Sequence, residues 1–261
     1  MNETTRASVL LGRLGRKEQR GSKPRCHFLT HGTNEEVARR LTSLIASHGR
    51  VSPTDNWMPI GFDETEEAQL HKAERLIASQ SDRDALKDWW LAHPRPTSRT
   101  PTWDIASTCL IDGRRGLLLV EAKAHHGELK SEECGKRLRN DSSEANHARI
   151  ACAIAEANEG LRLATKIDWQ LSSSRCYQMS NRFAWTWKLC TLGYSVALVY
   201  LGFIGATEMP CPFPQDVDWL NMVKSHSAPL FPAEIWDRNI GINDVTMVPL
   251  IRMCPQPLGL R

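Results

Sequence analysis

None of the eight cysteines, at positions 26, 109, 134, 152, 176, 190, 211 and 254, stands in a CxxC pair. That spacing excludes paired-thiol zinc ribbons and dithiol redox motifs. The nearest approach to a metal cluster, Cys26, His27 and His31, lacks a convincing fourth ligand. Residues 1–25 contain no apolar stretch of the leader-peptide type. Together with the scattered cysteines, this sets the expectation of a cytoplasmic protein with free thiols. Internal repeats and a glycine-rich nucleotide loop are both missing, which excludes solenoids and P-loop or dinucleotide folds. No zinc finger or helix-turn-helix is recognisable either, so any nucleic-acid binding is expected to be loose in sequence preference. A surplus of one charge sign is also lacking. The net charge of +3 and pI near 8.4 permit a polyanionic partner without requiring one.

Residues 189–207 carry no charge and approach membrane-spanning length. Thr191, Gly193 and Ser195 split them, however, and the apolar part 196–204 is rich in β-branched and aromatic residues. A helix end followed by a buried core strand explains this better than a membrane span. Nine tryptophans are many for 261 residues. Most are expected in the core, although an exposed one could stack on a base.

The length fits one large domain or a domain with an appendage. Residues 1–25, rich in Arg, Lys, Gly and Ser, are expected to be a flexible basic arm. Residues 26–261 are expected to form one domain, with a core at about 60–206 and a wrapping tail at 208–261. Val37, Leu41, Leu44 and Ile45 share one helical face within 34–48. Asp63-Glu64-Thr65-Glu66 resembles a capping box opening a helix through Leu70, Ala73, Leu76 and Ile77. Further helices are expected at 144–163, with Gly160 near its end, and at 175–190, with N-caps offered by Ser172, Ser173 and Ser174. One late strand is expected at 245–251.

The densest information lies at 103–123, WDIASTCLIDGRRGLLLVEAK. Asp112-Gly113 is the preferred dipeptide of a two-residue type I′ hairpin, since both central residues need positive φ. That turn places Ile111 opposite Arg114. Counting back along both strands then sets Asp104 opposite Glu121, with Cβ atoms about 5 Å apart. Strand alternation puts Leu117, Leu119, Glu121 and Lys123 on one face. Opposed like charges destabilise a ladder, so an ordinary solvated strand end explains the pair poorly beside Leu117 and Leu119. Two carboxylates at the edge of an apolar sheet suit a hard divalent cation, and a neighbouring ammonium can orient water or stabilise phosphate charge.

Asp104 followed by Glu121-Ala122-Lys123 on adjacent strands resembles the core motif of the PD-(D/E)XK nuclease superfamily. Trp103 stands where the family motif has proline, with Pro101 close by. The resemblance covers about residues 60–206. It implies an α/β protein with a restriction-endonuclease-like mixed β-sheet flanked by helices, and Mg²⁺-dependent phosphodiester hydrolysis. Asp104 and Glu121 would be metal ligands, Mn²⁺ a possible substitute, and Lys123 the catalytic lysine. The implied substrate is nucleic acid, DNA first, without a membrane; a homodimer stays open. A glutamate before the sheet often supports the metal in this superfamily, which favours Glu67 over Glu74. The helix before the last core strand often carries Gln or a basic residue near the site, which points to Gln178. His125 continues the face of Glu121 and Lys123 and is a minor candidate. For Arg95 and Arg99, in a proline-broken loop, two readings stay open: flanks of a phosphate groove, or solvated side chains. The alternative function is a non-catalytic descendant of the fold that binds nucleic acid or a partner protein. A metalloenzyme with a non-nucleic substrate is a third. No extra strand is expected before Trp103, although the family has one.

Overall fold

The computed structural model describes residues 3–93, 99–130 and 141–258. Helices α1 (Glu3–Leu11), α2 (Ser22–Leu29) and α3 (Asn34–Leu44) lead to two short strands, β1 (Gly49–Arg50) and β2 (Trp57–Met58). Then come α4 (Gln80–Trp90) and the hairpin of β3 (Ile105–Ile111) and β4 (Arg114–Lys123). Helices α5 (His126–Lys130), α6 (Asp141–Thr165) and α7 (Tyr177–Thr191) precede β5 (Ser195–Ile204). Helix α8 (Asp216–Ser227), β6 (Ile240–Ile242) and β7 (Val245–Pro255) complete the order.

The hairpin forms as its turn chemistry requires. Asp112 and Gly113 have φ of 50° and 76°, and Ile111 faces Arg114, with the ladder running to Ile105 opposite Val120. The strand order is β1-β3-β4-β5-β7-β6, with β2 also pairing β3. The pairs β4/β5 and β5/β7 are parallel and the rest antiparallel, so the sheet is mixed. Its two faces carry separate apolar layers. Leu117, Leu119, Leu198 and Tyr200 pack with residues of α4, α6, α7 and α8. Leu118, Val120, Ala122 and Val199 pack with Cys26 and Leu29 of α2 and with Val37, Leu41 and Leu44 of α3. The expected α/β class with a mixed sheet between helices is therefore what the chain forms.

Several expectations are corrected. The 63–77 segment is not helical: Ile60 bridges Glu64, Ala68 bridges Trp103, and turns follow. Trp103 donates its N–H to the Ala68 carbonyl at 3.0 Å, a tertiary bond that local helix signals cannot compete with. Two strands, β1 and β2, do precede Trp103. The 1–25 segment is partly folded, since Leu10 and Leu14 pack on Phe62. Helix α6 runs through Gly160 to Thr165, in keeping with the expected 144–163, and a Cβ at Gly160 would meet the Trp187 indole at 2.2 Å; that close approach explains the glycine. The N-cap of α7 is Cys176, with φ of 46°, and Ser172 instead accepts from the N–H groups of Ser174 and Arg175. The late strand reaches Pro255 and lies inside the sheet against β5. All nine tryptophans are buried, so none offers a stacking surface for a base. Among the described residues no helix is long and apolar enough to cross a membrane.

Candidate active site

Glu121 and Lys123 lie at the C-terminal end of β4, on the strand face of Leu117 and Leu119, and both are buried. Asp104 immediately precedes β3, at a bend where alternation breaks: Trp103 packs in one apolar layer and Ile105 in the other. The strand stops pairing there, and the Asp104 carboxylate takes over. Its Oδ2 accepts the Ala122 N–H at 2.7 Å, so Asp104 is held beside the residue between Glu121 and Lys123.

Glu121 is saturated with donors. Its Oε1 accepts from Lys123 Nζ at 2.5 Å and from Gln178 Nε2 at 2.6 Å. Its Oε2 accepts from Arg182 Nε at 2.6 Å. Burial alone would push this carboxyl up, but the Arg182 guanidinium and then the Lys123 ammonium hold it below the usual carboxylate range. For Asp104 the charge of Lys123 offsets only part of the opposing effects. Burial first, and the charge of Glu121 second, push its carboxyl up to about 8, although its side chain is only half-buried by surface exposure.

By sequence Arg182 shares a flank of α7 with Gln178 and Asn181 but carries no assigned role; the structure brings it to Glu121. It donates to the Thr102 carbonyl at 2.7 Å, and its guanidinium sits 4.5 Å from the centre of the Trp103 ring. One side chain thus ties Glu121 of β4 to the two residues before Asp104. Trp103, where the family motif has proline, supplies the ring face for that cation. A signal was present: Arg182 is one helical turn beyond Gln178 and so shares its side of α7.

The other candidates divide. Gln178 joins the cluster directly. Glu67 pairs with Lys23 at 3.3 Å, and its charge acts on Asp104. Glu74 lines a separate surface cleft with Lys72 and Arg75. His125 does not reach Glu121 or Lys123 by any hydrogen bond among the described residues; its Nδ1 accepts the Gly127 N–H and its Nε2 lies 3.9 Å from Glu128. Arg99 is exposed, and Arg95 lies outside the described residues. Cys26 of α2 packs close by: burial, then the charges of Asp104, Glu67, Glu128 and Glu121, push its thiol well up. His27 is engaged elsewhere, with Nδ1 2.8 Å from the Gly61 carbonyl.

Comparison with known proteins adds no relative: no protein-family model, no curated protein and no solved structure matches this chain.

Proposed function

We propose that this protein is a metal-dependent nuclease of the PD-(D/E)XK type that hydrolyses phosphodiester bonds of nucleic acid, DNA first. The observation that carries this reading is Asp104 held at the Ala122 N–H, between Glu121 and Lys123, where the hairpin ladder ends. The residues suit a divalent cation. The donors are hard oxygens, and burial together with the charge of Glu121 pushes the Asp104 carboxyl up to about 8, a shift that a bound cation would oppose. Asp104 and Glu121 would hold Mg²⁺, or Mn²⁺ in its stead, and the ion would supply a polarised water and charge stabilisation. Lys123, a three-donor ammonium, serves Glu121 and can also donate to a phosphoryl oxygen as charge builds there. Gln178 and Arg182 orient the Glu121 carboxylate, and Arg182 holds the Thr102–Trp103 segment that delivers Asp104.

A second reading has its own support. Three donors already satisfy Glu121, and Arg182 and Lys123 neutralise it. A non-catalytic descendant that binds nucleic acid or a partner protein would tolerate such a locked carboxylate. Thermal shift with Mg²⁺ or Mn²⁺ separates the two. At a metal concentration about 100-fold above Kd, the nuclease reading expects about 2.7 kcal/mol of stabilisation, a rise in Tm of roughly 5–10 °C. The Asp104→Asn variant should show none. Absence of any metal-dependent shift in the wild type would favour the binder.

A further inference from the structure

A basic segment borders the candidate site: residues 13–23, RLGRKEQRGSK, with five cations and one acid. It is folded against the protein. Leu14 packs with Phe62, and Glu18 closes a short 3₁₀ turn (Arg16–Glu18) by accepting the Gly15 N–H at 3.1 Å and Lys23 Nζ at 2.8 Å. Gln19 Nε2 donates to the Leu14 carbonyl at 2.9 Å, and Arg20 Nη2 donates to the Glu208 carbonyl at 2.6 Å. Arg16, Lys17 and Arg20 therefore stand on a fixed ridge, and all three are exposed.

The carboxylates around this ridge are committed to other cations. Asp63 pairs with Arg13 at 2.7 Å, Glu18 and Glu67 share Lys23, and Glu208 pairs with Arg25 at 2.6 Å. Arg16, Lys17 and Arg20 join no ion pair among the described residues. The excess of positive charge falls on these three.

The ridge is joined to the candidate site at its C-terminal end, by two contacts. Lys23 Nζ lies 3.3 Å from Glu67, whose charge acts on Asp104. Ser22 donates its hydroxyl and its N–H to Glu128 Oε1 at 3.2 and 3.3 Å, while Glu128 Oε2 accepts the N–H of Ala124, the neighbour of Lys123. Ser22, Lys23, Glu67, Glu128 and Asp104 all keep part of their surface in water. The way from the ridge to Asp104 thus runs over residues that touch solvent and crosses no buried layer. Arg20 is three residues from Lys23, at most about 11 Å of chain.

The one apolar side chain within 13–23, Leu14, is buried, which leaves the ridge nothing to insert into a lipid surface. Exposed guanidinium and ammonium groups on a fixed backbone suit a row of phosphates. We propose that Arg16, Lys17 and Arg20 bind the phosphate backbone of the nucleic acid where it leads into Asp104, Glu121 and Lys123. The proposal rests on the nuclease reading for the identity of the partner. The ridge adds affinity without base specificity.

Fluorescence anisotropy in EDTA tests it, using a DNA duplex of roughly 20 base pairs and salt from about 50 to 200 mM. The Arg16→Gln/Lys17→Gln/Arg20→Gln variant should bind about tenfold or more weakly, with the log–log salt slope reduced by about 2 to 3. The Arg16→Lys/Arg20→Lys variant keeps the charge and should keep the slope. A control with the same loss of charge elsewhere, Arg39→Gln/Arg50→Gln/Arg115→Gln, should bind within about twofold of wild type, and all forms should share one Tm. Equal weakening in the two triple variants would reduce the effect to net charge and overturn the proposal, as would unchanged affinity and slope in the ridge variant. Ridge-dependent binding to phosphatidylserine vesicles as tight as to the duplex would assign the surface to a membrane and overturn it too. Cleavage with Mg²⁺ is scored separately. Ridge-dependent binding without cleavage supports the contact surface while sinking the nuclease reading, and cleavage with ridge-independent binding does the reverse.

Discussion

Replacing Glu121 by alanine should destabilise the protein by about 3–5 kcal/mol and abolish cleavage. The sequence argument pointed the other way. Taken alone, two opposed carboxylates repel, so removing either relieves that repulsion and leaves folding intact. The contacts of Glu121 reverse that sign: it is the shared acceptor of Lys123, Gln178 and Arg182, all within 2.6 Å. Truncation takes the shared carboxylate away from two buried cations and a half-buried amide, and loss of a buried charge's counter-ion is among the costliest single changes. Glu121→Gln keeps the volume and one acceptor oxygen, so it should fold with a smaller loss while remaining inactive. Chemical denaturation resolves the order. Equal stability of Glu121→Ala and wild type would show that the buried ion cluster is absent in solution.

Asp104 should give a pH dependence of opposite character. Its carboxyl is pushed up to about 8, against an ordinary value of about 3.9 in an unfolded chain. Between those values the folded protein binds more protons than the unfolded one, so stability falls as pH rises through that window. One such group contributes a slope of up to about 1.4 kcal/mol per pH unit. In metal-free protein, the Asp104→Asn variant should lose this slope and be more stable than wild type at pH 8. Parallel stability curves for the two proteins from pH 5 to 8 would contradict the raised value.

The part of the molecule that could be read in advance is the part built from local rules. Asp112-Gly113 imposes positive φ at two adjacent positions, and alternation then fixes the faces of β3 and β4 residue by residue. Glu121 and Lys123 fell on the expected face for that reason. Helix α3 was also legible, because Val37, Leu41 and Leu44 make one apolar stripe; the structure adds a capping box of Thr33 and Glu36 at its start. What stayed hidden depends on partners distant in the chain. The 63–77 segment has helical spacing at Leu70, Ala73, Leu76 and Ile77, yet all four are buried from turns, because Ala68 is committed to Trp103. Strands β1 and β2 are two residues each, too short for any period to show. Arg182 looked like polar surface, since nothing local tells a buried guanidinium from a solvated one; its partner is 61 residues away in sequence.

Nuclease activity itself is the most direct test. Wild type, Asp104→Asn and Glu121→Gln should be compared with Mg²⁺, with Mn²⁺ and with EDTA on plasmid, linear duplex, single-stranded DNA and RNA. The account expects the wild type to cut at least one of these only with a divalent cation, and both variants to lose at least about 100-fold in rate while remaining folded. Cutting by both variants at the wild-type rate, or no cutting by the wild type of any substrate with either metal, would contradict it.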